Sequence, residues 1–161
     1  MRVLALLVFL GCATVPATAP HLLAQLDASR DLDQQVLGKA DGATVAIVMA
    51  SWCEHCRAEL AVFDAVRARH PHVRWLAINY KEHEEYDRRG NSIAIRALAT
   101  ELPWLRFVPA DGELYRALGS PTLIPTVLVF DRAGTLVERY DRRERKPPDA
   151  TQLDALLAAL P

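Results

Sequence analysis

Excess charge of either sign is missing from this sequence. Its 161 residues carry 19 Lys and Arg against 20 Asp and Glu, a formal net charge of −1. Phosphate contacts need a basic surface, so a nucleic-acid binder is set aside. Internal repeats and low-complexity tracts are missing as well, which sets aside repeat architectures. The apolar run Val3–Leu10 is too short to cross a bilayer. Cysteine is scarce: there are three, and a zinc site built on one Cys-x-x-Cys normally needs two further Cys or His ligands at similar spacing. What remains is ordinary for a globular protein, 51% hydrophobic and 24% charged, at a length that suits one domain with a substantial core.

Two of the cysteines stand together in Ala50-Ser51-Trp52-Cys53-Glu54-His55-Cys56-Arg57-Ala58-Glu59-Leu60, behind the apolar run Val45–Met49. Strand, tight turn and helix are predicted in that order. Cys53 then falls just outside a helix start and Cys56 in its first turn. Unpaired N–H groups and the positive end of the helix dipole favour a thiolate there. Thiols at this spacing reach each other, so the pair can cycle between dithiol and disulfide. His70 and His72 are the nitrogen ligands a metal site would need, but they lie at the far end of the same helix, roughly 25 Å away at 1.5 Å per residue. Redox chemistry is the stronger reading, and a metal site is the alternative.

The chain opens like an export signal. Met1-Arg2 is a short positive start before Val3–Leu10. Ala17-Thr18-Ala19 has the small-x-small form of a cleavage site, although Pro20 follows it. Phe9-Leu10-Gly11-Cys12 resembles a bacterial lipobox, imperfectly because Phe9 and Leu10 are larger than usual there. Lipidation of Cys12 accounts for a cysteine without a partner and would give durable anchoring. Removal of Cys12 with the signal is the other outcome. Residues 1–19 are therefore expected to be a signal, and residues 20–161 the folded domain.

Within that domain, His21 to about Leu37 suggests one or two helical pieces, with Gly38 and Asp41-Gly42 as breaks. Val45–Met49 is apolar on both faces, as a central strand is. The helix after Cys56 runs to about Arg69, before Pro71, with Leu60, Val62, Phe63 and Val66 on one broad face. Glu59 shares that face, where a carboxylate is costly without a partner or a task. Val73–Asn79 reads as the next strand. Lys81–Arg89 is mixed in charge and reads as a solvated loop or helix end. Asn91 or Ser92 caps a helix to about Leu102, with Ile93, Leu98 and Leu102 as inner positions. A strand at Leu105–Val108 and a short helix ending at Gly119 follow. Val127–Phe130, the turn Asp131–Gly134 and Leu136–Tyr140 form a hairpin. Asp149 and Gln152 look like a capping box for a last helix, with Leu153, Leu156, Leu157 and Leu160 at helical spacing.

From about residue 40 to 160, this order resembles the thioredoxin superfamily: Trp52-Cys53-x-x-Cys56 after a strand, then Ile124-Pro125-Thr126 before a hairpin. It is most similar to the exported TlpA/ResA branch. The stretch between Asn79 and Ile124 has room for that branch's helix-plus-strand insertion. The resemblance implies an α/β fold, a thioredoxin-like mixed central sheet with helices on both faces, and both hairpin strands are expected to oppose the rest.

It also implies thiol–disulfide exchange on exported protein substrates, with no cofactor and no metal. Cys53, the exposed member, attacks. Cys56 resolves, and Glu59, where ResA-type proteins place an active-site glutamate, takes its proton. Trp52, Glu54 and His55 are active-site neighbours. Pro125 is expected to be cis, with Ile124, Pro125 and Thr126 forming the substrate-binding backbone. Thioredoxin's buried Asp six residues before the first Cys is replaced by Ile47. Glu54 opposes a stabilised thiolate, against His55 and the dipole, which favours a reductant.

A reductant in an oxidising compartment implies a membrane electron donor, and apocytochrome c is one substrate the resemblance suggests. The expected setting is the bacterial periplasm or cell envelope, with or without a lipid anchor, and the expected state is a monomer. Three other readings stay open. These are a copper(I) delivery protein using Cys53, Cys56 and His55 or His83, an oxidising disulfide donor, and a binding module with a structural disulfide.

Overall fold

The computed structural model describes residues 19–160. The expected signal up to Thr18, and Cys12 with it, lies outside these residues. Helix α1 (Ala19–Ala28) carries Pro20 in its first turn, where a missing N–H costs nothing. The stretch after it is not a second helix. It doubles back through an isolated bridge between Arg30 and Val36.

The fully buried strand β1 (Thr44–Met49) leads to α2 (Glu54–Arg67), then β2 (Arg74–Tyr80) and the short α3 (Lys81–Glu84). A single 3-10 turn, Tyr86–Arg88, precedes α4 (Ser92–Glu101), whose N-cap Asn91 accepts from the amides of Ile93 and Ala94. Strand β3 (Arg106–Ala110) and α5 (Gly112–Ala117) follow. The hairpin β4 (Thr126–Phe130) and β5 (Leu136–Asp141) turns at Gly134, whose φ of +88° is left-handed. Helix α6 (Ala150–Ala159) starts at a complete capping box between Asp149 and Gln152.

The five strands lie in the order β3-β2-β1-β4-β5. Strands β1, β2 and β3 are parallel, β4 opposes β1, and β5 opposes β4. Only β4 therefore runs against the rest. The expectation that both hairpin strands oppose the others fails because a hairpin reverses direction between its own two strands.

Alternation along β1 divides the core. Val45, Ile47 and Met49 face Leu60, Phe63 and Val66 of α2, Ile95 and Leu98 of α4, and Leu153 and Leu157 of α6. Ala46 and Val48 face Leu22 and Leu26 of α1 and Leu114 and Leu118 beside α5. The result is three layers, with the sheet buried on both faces. Ile93 is corrected: it is 77% exposed, and Ile95, two positions on, fills the inner place. At the β3 edge, Leu32 donates to the Phe107 carbonyl at 3.0 Å, and Pro109 has no N–H to offer.

Candidate active site

Because β1 is central and parallel to β2, its carboxyl end opens where the chain turns into α2. Cys53 is the N-cap of α2 in extended conformation, and its Sγ accepts from the Cys56 amide at 3.2 Å. Cys53 and Cys56 are joined as a disulfide, with their Cα atoms 5.2 Å apart. The expectation of an exposed Cys53 is corrected. It is 5% exposed and Cys56 is wholly buried. The asymmetry between them persists, because Cys53 lines an open cleft of about 680 Å³ together with Trp52, Glu54, His55, His83 and Ile124.

A second cleft of about 460 Å³ lies alongside, lined by His55, Glu59, Pro125 and Arg142 among others. His55 and Arg142 border both. The Ile124–Pro125 peptide is cis. The structure thus brings Cys53, His55, Glu59, Ile124 and Pro125 to one end of the sheet from two separate stretches of chain. Thr126 stays behind this surface, buried, with its hydroxyl donating to the Leu123 carbonyl at 2.8 Å. Glu54 is exposed in the first turn of α2, where the helix dipole favours a carboxylate.

Glu59 is 7% exposed on the core face of α2, and its Oε1 has no hydrogen-bond partner among the described residues. Burial disfavours the charged form and pushes its pKa up to about 7. A carboxyl group poised there can take and return a proton near neutrality.

The opposite wall is the segment 81–90. Trp52 Nε1 donates to the carbonyls of Glu84 (2.9 Å) and His83 (3.1 Å). Tyr86 lies 6.3 Å from the Trp52 ring, and the Arg89 guanidinium sits 5.1 Å over it. The Tyr115 hydroxyl donates to the Pro121 carbonyl at 2.7 Å and also meets His83 Nε2 at 3.1 Å. Its one proton being committed, His83 Nε2 must be the donor, which leaves Nδ1 bare and buried. Burial correspondingly lowers the His83 pKa, with Glu82 opposing. This chain of bonds ties the segment 81–90 to the loop before Pro125.

Lys81–Arg89 is therefore not a plain solvated loop. Glu84 within it is 2% exposed and bonded to Ser51 and Asn79. The sequence reading missed this carboxylate. The available signal was a pair of polar residues, Ser51 and Asn79, at the ends of two apolar strands. Among the described residues, no three His, Cys, Asp or Glu side chains converge as a metal-ligand set, and no helix is long and apolar enough to cross a membrane.

The chain matches no protein-family model and no curated protein. Its structure is similar to many solved ones. A secreted Mycobacterium tuberculosis disulfide oxidoreductase, homologous to E. coli DsbE, superposes with a TM-score of 0.65 at 18% identity, over 85% of this chain and 98% of that one. A thioredoxin-like protein from Aeropyrum pernix gives 0.67 at 14% identity, over 87% and 94%. StoA from Bacillus subtilis gives 0.59 at 19%, over 80% and 92%. At these identities the likeness establishes the fold, which is thioredoxin-like.

Proposed function

We propose that this protein is a thiol–disulfide oxidoreductase acting on exported protein disulfides, in the reducing direction. The carrying observation is the Cys53–Cys56 disulfide at the start of α2. One sulfur borders a cleft walled by Ile124, and the other is sealed beneath it. The similar structures include a secreted disulfide oxidoreductase, which supports the same reading.

In the reduced protein, the Cys53 thiolate attacks one sulfur of a substrate disulfide. A mixed disulfide forms and the first substrate thiolate leaves. Glu59 then takes the proton from Cys56, and the Cys56 thiolate attacks Cys53 Sγ. The second substrate thiolate leaves and the Cys53–Cys56 bond closes, so two electrons have passed to the substrate. The backbone at Ile124, beside the cis proline, suits pairing with an extended substrate segment as an added strand. Trp52 forms a rigid wall beside the sulfur. Glu54 and His55 act on the Cys53 thiolate in opposite senses.

Repeated turnover calls for an electron donor at the membrane. The proposed setting is the bacterial periplasm or envelope, reached through the signal at residues 1–19, with Cys12 as the site of any lipid anchor. Apocytochrome c is the substrate suggested by the resemblance to the TlpA/ResA branch. Replacing Cys56→Ser should trap substrate as a stable mixed disulfide on Cys53; an inert structural disulfide would trap nothing. Equilibration against glutathione buffers tests the direction. A midpoint as oxidising as about −120 mV would reverse it.

A further inference from the structure

The catalytic scheme leaves one buried acid unused, and its bonds converge on the turn from which Cys53 projects. Glu84 Oε2 accepts from the Ser51 amide at 2.8 Å and from Asn79 Nδ2 at 2.7 Å, while Oε1 accepts from the Ser51 hydroxyl. The Glu84 carbonyl accepts from the Trp52 indole. On the other side, Arg57 Nε donates to the Ser51 carbonyl at 3.2 Å. Asn79 is also bonded to the Met49 carbonyl at 3.3 Å, so the end of β1 is tied into the same cluster. Both polar ends of Ser51 and the ring of Trp52 are thus fixed from outside the turn.

Room for this carboxylate is made by Gly90. A Cβ there would stand 2.2 Å from Glu84 Oε1 and 2.8 Å from the Glu84 carbonyl. A side chain at position 90 and the carboxylate in its place exclude one another.

While the disulfide is closed, the covalent ring keeps Cys53 Sγ at the Cys56 amide. Once it opens, that constraint is gone and the turn must be kept in place by other bonds. We propose that Glu84 is a positioning residue for the thiol pair. It pins the Ser51–Trp52 turn so that the reduced Cys53 stays at the amino end of α2, where an amide N–H and the dipole stabilise its thiolate. The role in exchange rests on the function proposed above, whereas the geometry it predicts belongs to the reduced protein whether or not exchange occurs.

Two substitutions disturb this clamp without altering any charge. Ser51→Ala removes the hydroxyl donor, and Gly90→Ala displaces the carboxylate. The rate of Cys53 alkylation by iodoacetamide is measured against pH in the fully reduced full-length protein, with Cys12→Ser and Cys56→Ser as background to isolate the one thiol. The expected result is a Cys53 pKa raised in both variants, with a thiolate fraction about three- to tenfold smaller at pH 7. Tryptophan fluorescence, with Trp75 and Trp104 as a common background, should become more accessible to acrylamide in Gly90→Ala. Ser51→Ala is the milder change and decides the matter if Gly90→Ala does not fold. A Ser51→Ala profile superimposable on that of the parent overturns the proposal. Glutathione equilibration of the wild-type protein is run in parallel. Its failure would overturn the exchange reading alone, since the alkylation profile stands without it.

Discussion

Glu59, on the core side of the thiol pair, and Glu84, on the side of segment 81–90, are both withdrawn from solvent, yet their surroundings differ in kind. Glu59 projects from the apolar face of α2 with Oε1 unpartnered, and burial drives its pKa up to about 7. Glu84 meets three donors from two other elements. A carboxyl group left without donors ionises only near neutrality, so it can take up and release a proton there. One surrounded by donors becomes a structural tie. The same side chain is thus suited to proton transfer in one setting and to architecture in the other.

The largest effect that would break this contrast is expected for Glu84→Ala. It strands the Ser51 amide, the Ser51 hydroxyl and Asn79 in a dry place, and should cost roughly 3 kcal/mol or more of stability in urea unfolding. A loss below about 1 kcal/mol would show that Glu84 ties nothing.

Glu59→Gln should act in the opposite direction, and only above acid pH. Below the ordinary value of 4.5, the folded and unfolded states both hold the proton. As pH rises toward about 7, the unfolded chain ionises while the folded one stays neutral, so the wild type loses stability through that window. The neutral Gln does not. At pH 8 the variant should therefore be more stable by roughly 2–3 kcal/mol, with no difference at pH 4. Parallel stability curves for the two proteins from pH 4 to pH 8 would remove the basis for Glu59 as a proton acceptor.

Trp52→Phe removes the indole N–H shared by the His83 and Glu84 carbonyls together with part of the ring packed against Tyr86 and Arg89, and should cost at least about 1 kcal/mol. A neutral result would mean that the ring alone, and not its hydrogen bond, joins Trp52 to segment 81–90. Ile93→Ser, outside both regions and exposed, should change stability by less than about 0.5 kcal/mol. A larger loss would restore Ile93 to the core.

What could be read from the sequence was what local pattern dictates. The apolar run Val45–Met49, the spacing of Cys53 and Cys56, the periodicity of Leu60, Phe63 and Val66, the Asp131–Gly134 turn and the Asp149–Gln152 box each lie within a few residues of their cause. Glu59 was legible for the same reason, as a charge at an apolar position on a helix. Glu84 was not. It sits among Lys81, Glu82, His83 and Glu85, a stretch with no apolar period, and its burial is caused by Ser51, 33 residues away. Ile124 and His83 were placed beside the thiol pair from the sequence, but not how far the packing there withdraws Cys53 from solvent. Ile93 failed because it stands two positions, about 200° of helical turn, from Ile95, on the face of α4 away from the core.

The outer margin of the sheet has a consequence for self-association. On β3 the position that would accept a neighbour's strand is taken by Leu32, and the next outward residue, Pro109, lacks a hydrogen to give. Fibrous growth by edge-to-edge pairing requires two free rims per molecule. With this rim covered, edge-to-edge pairing of the sheet through β5 would end after a second copy.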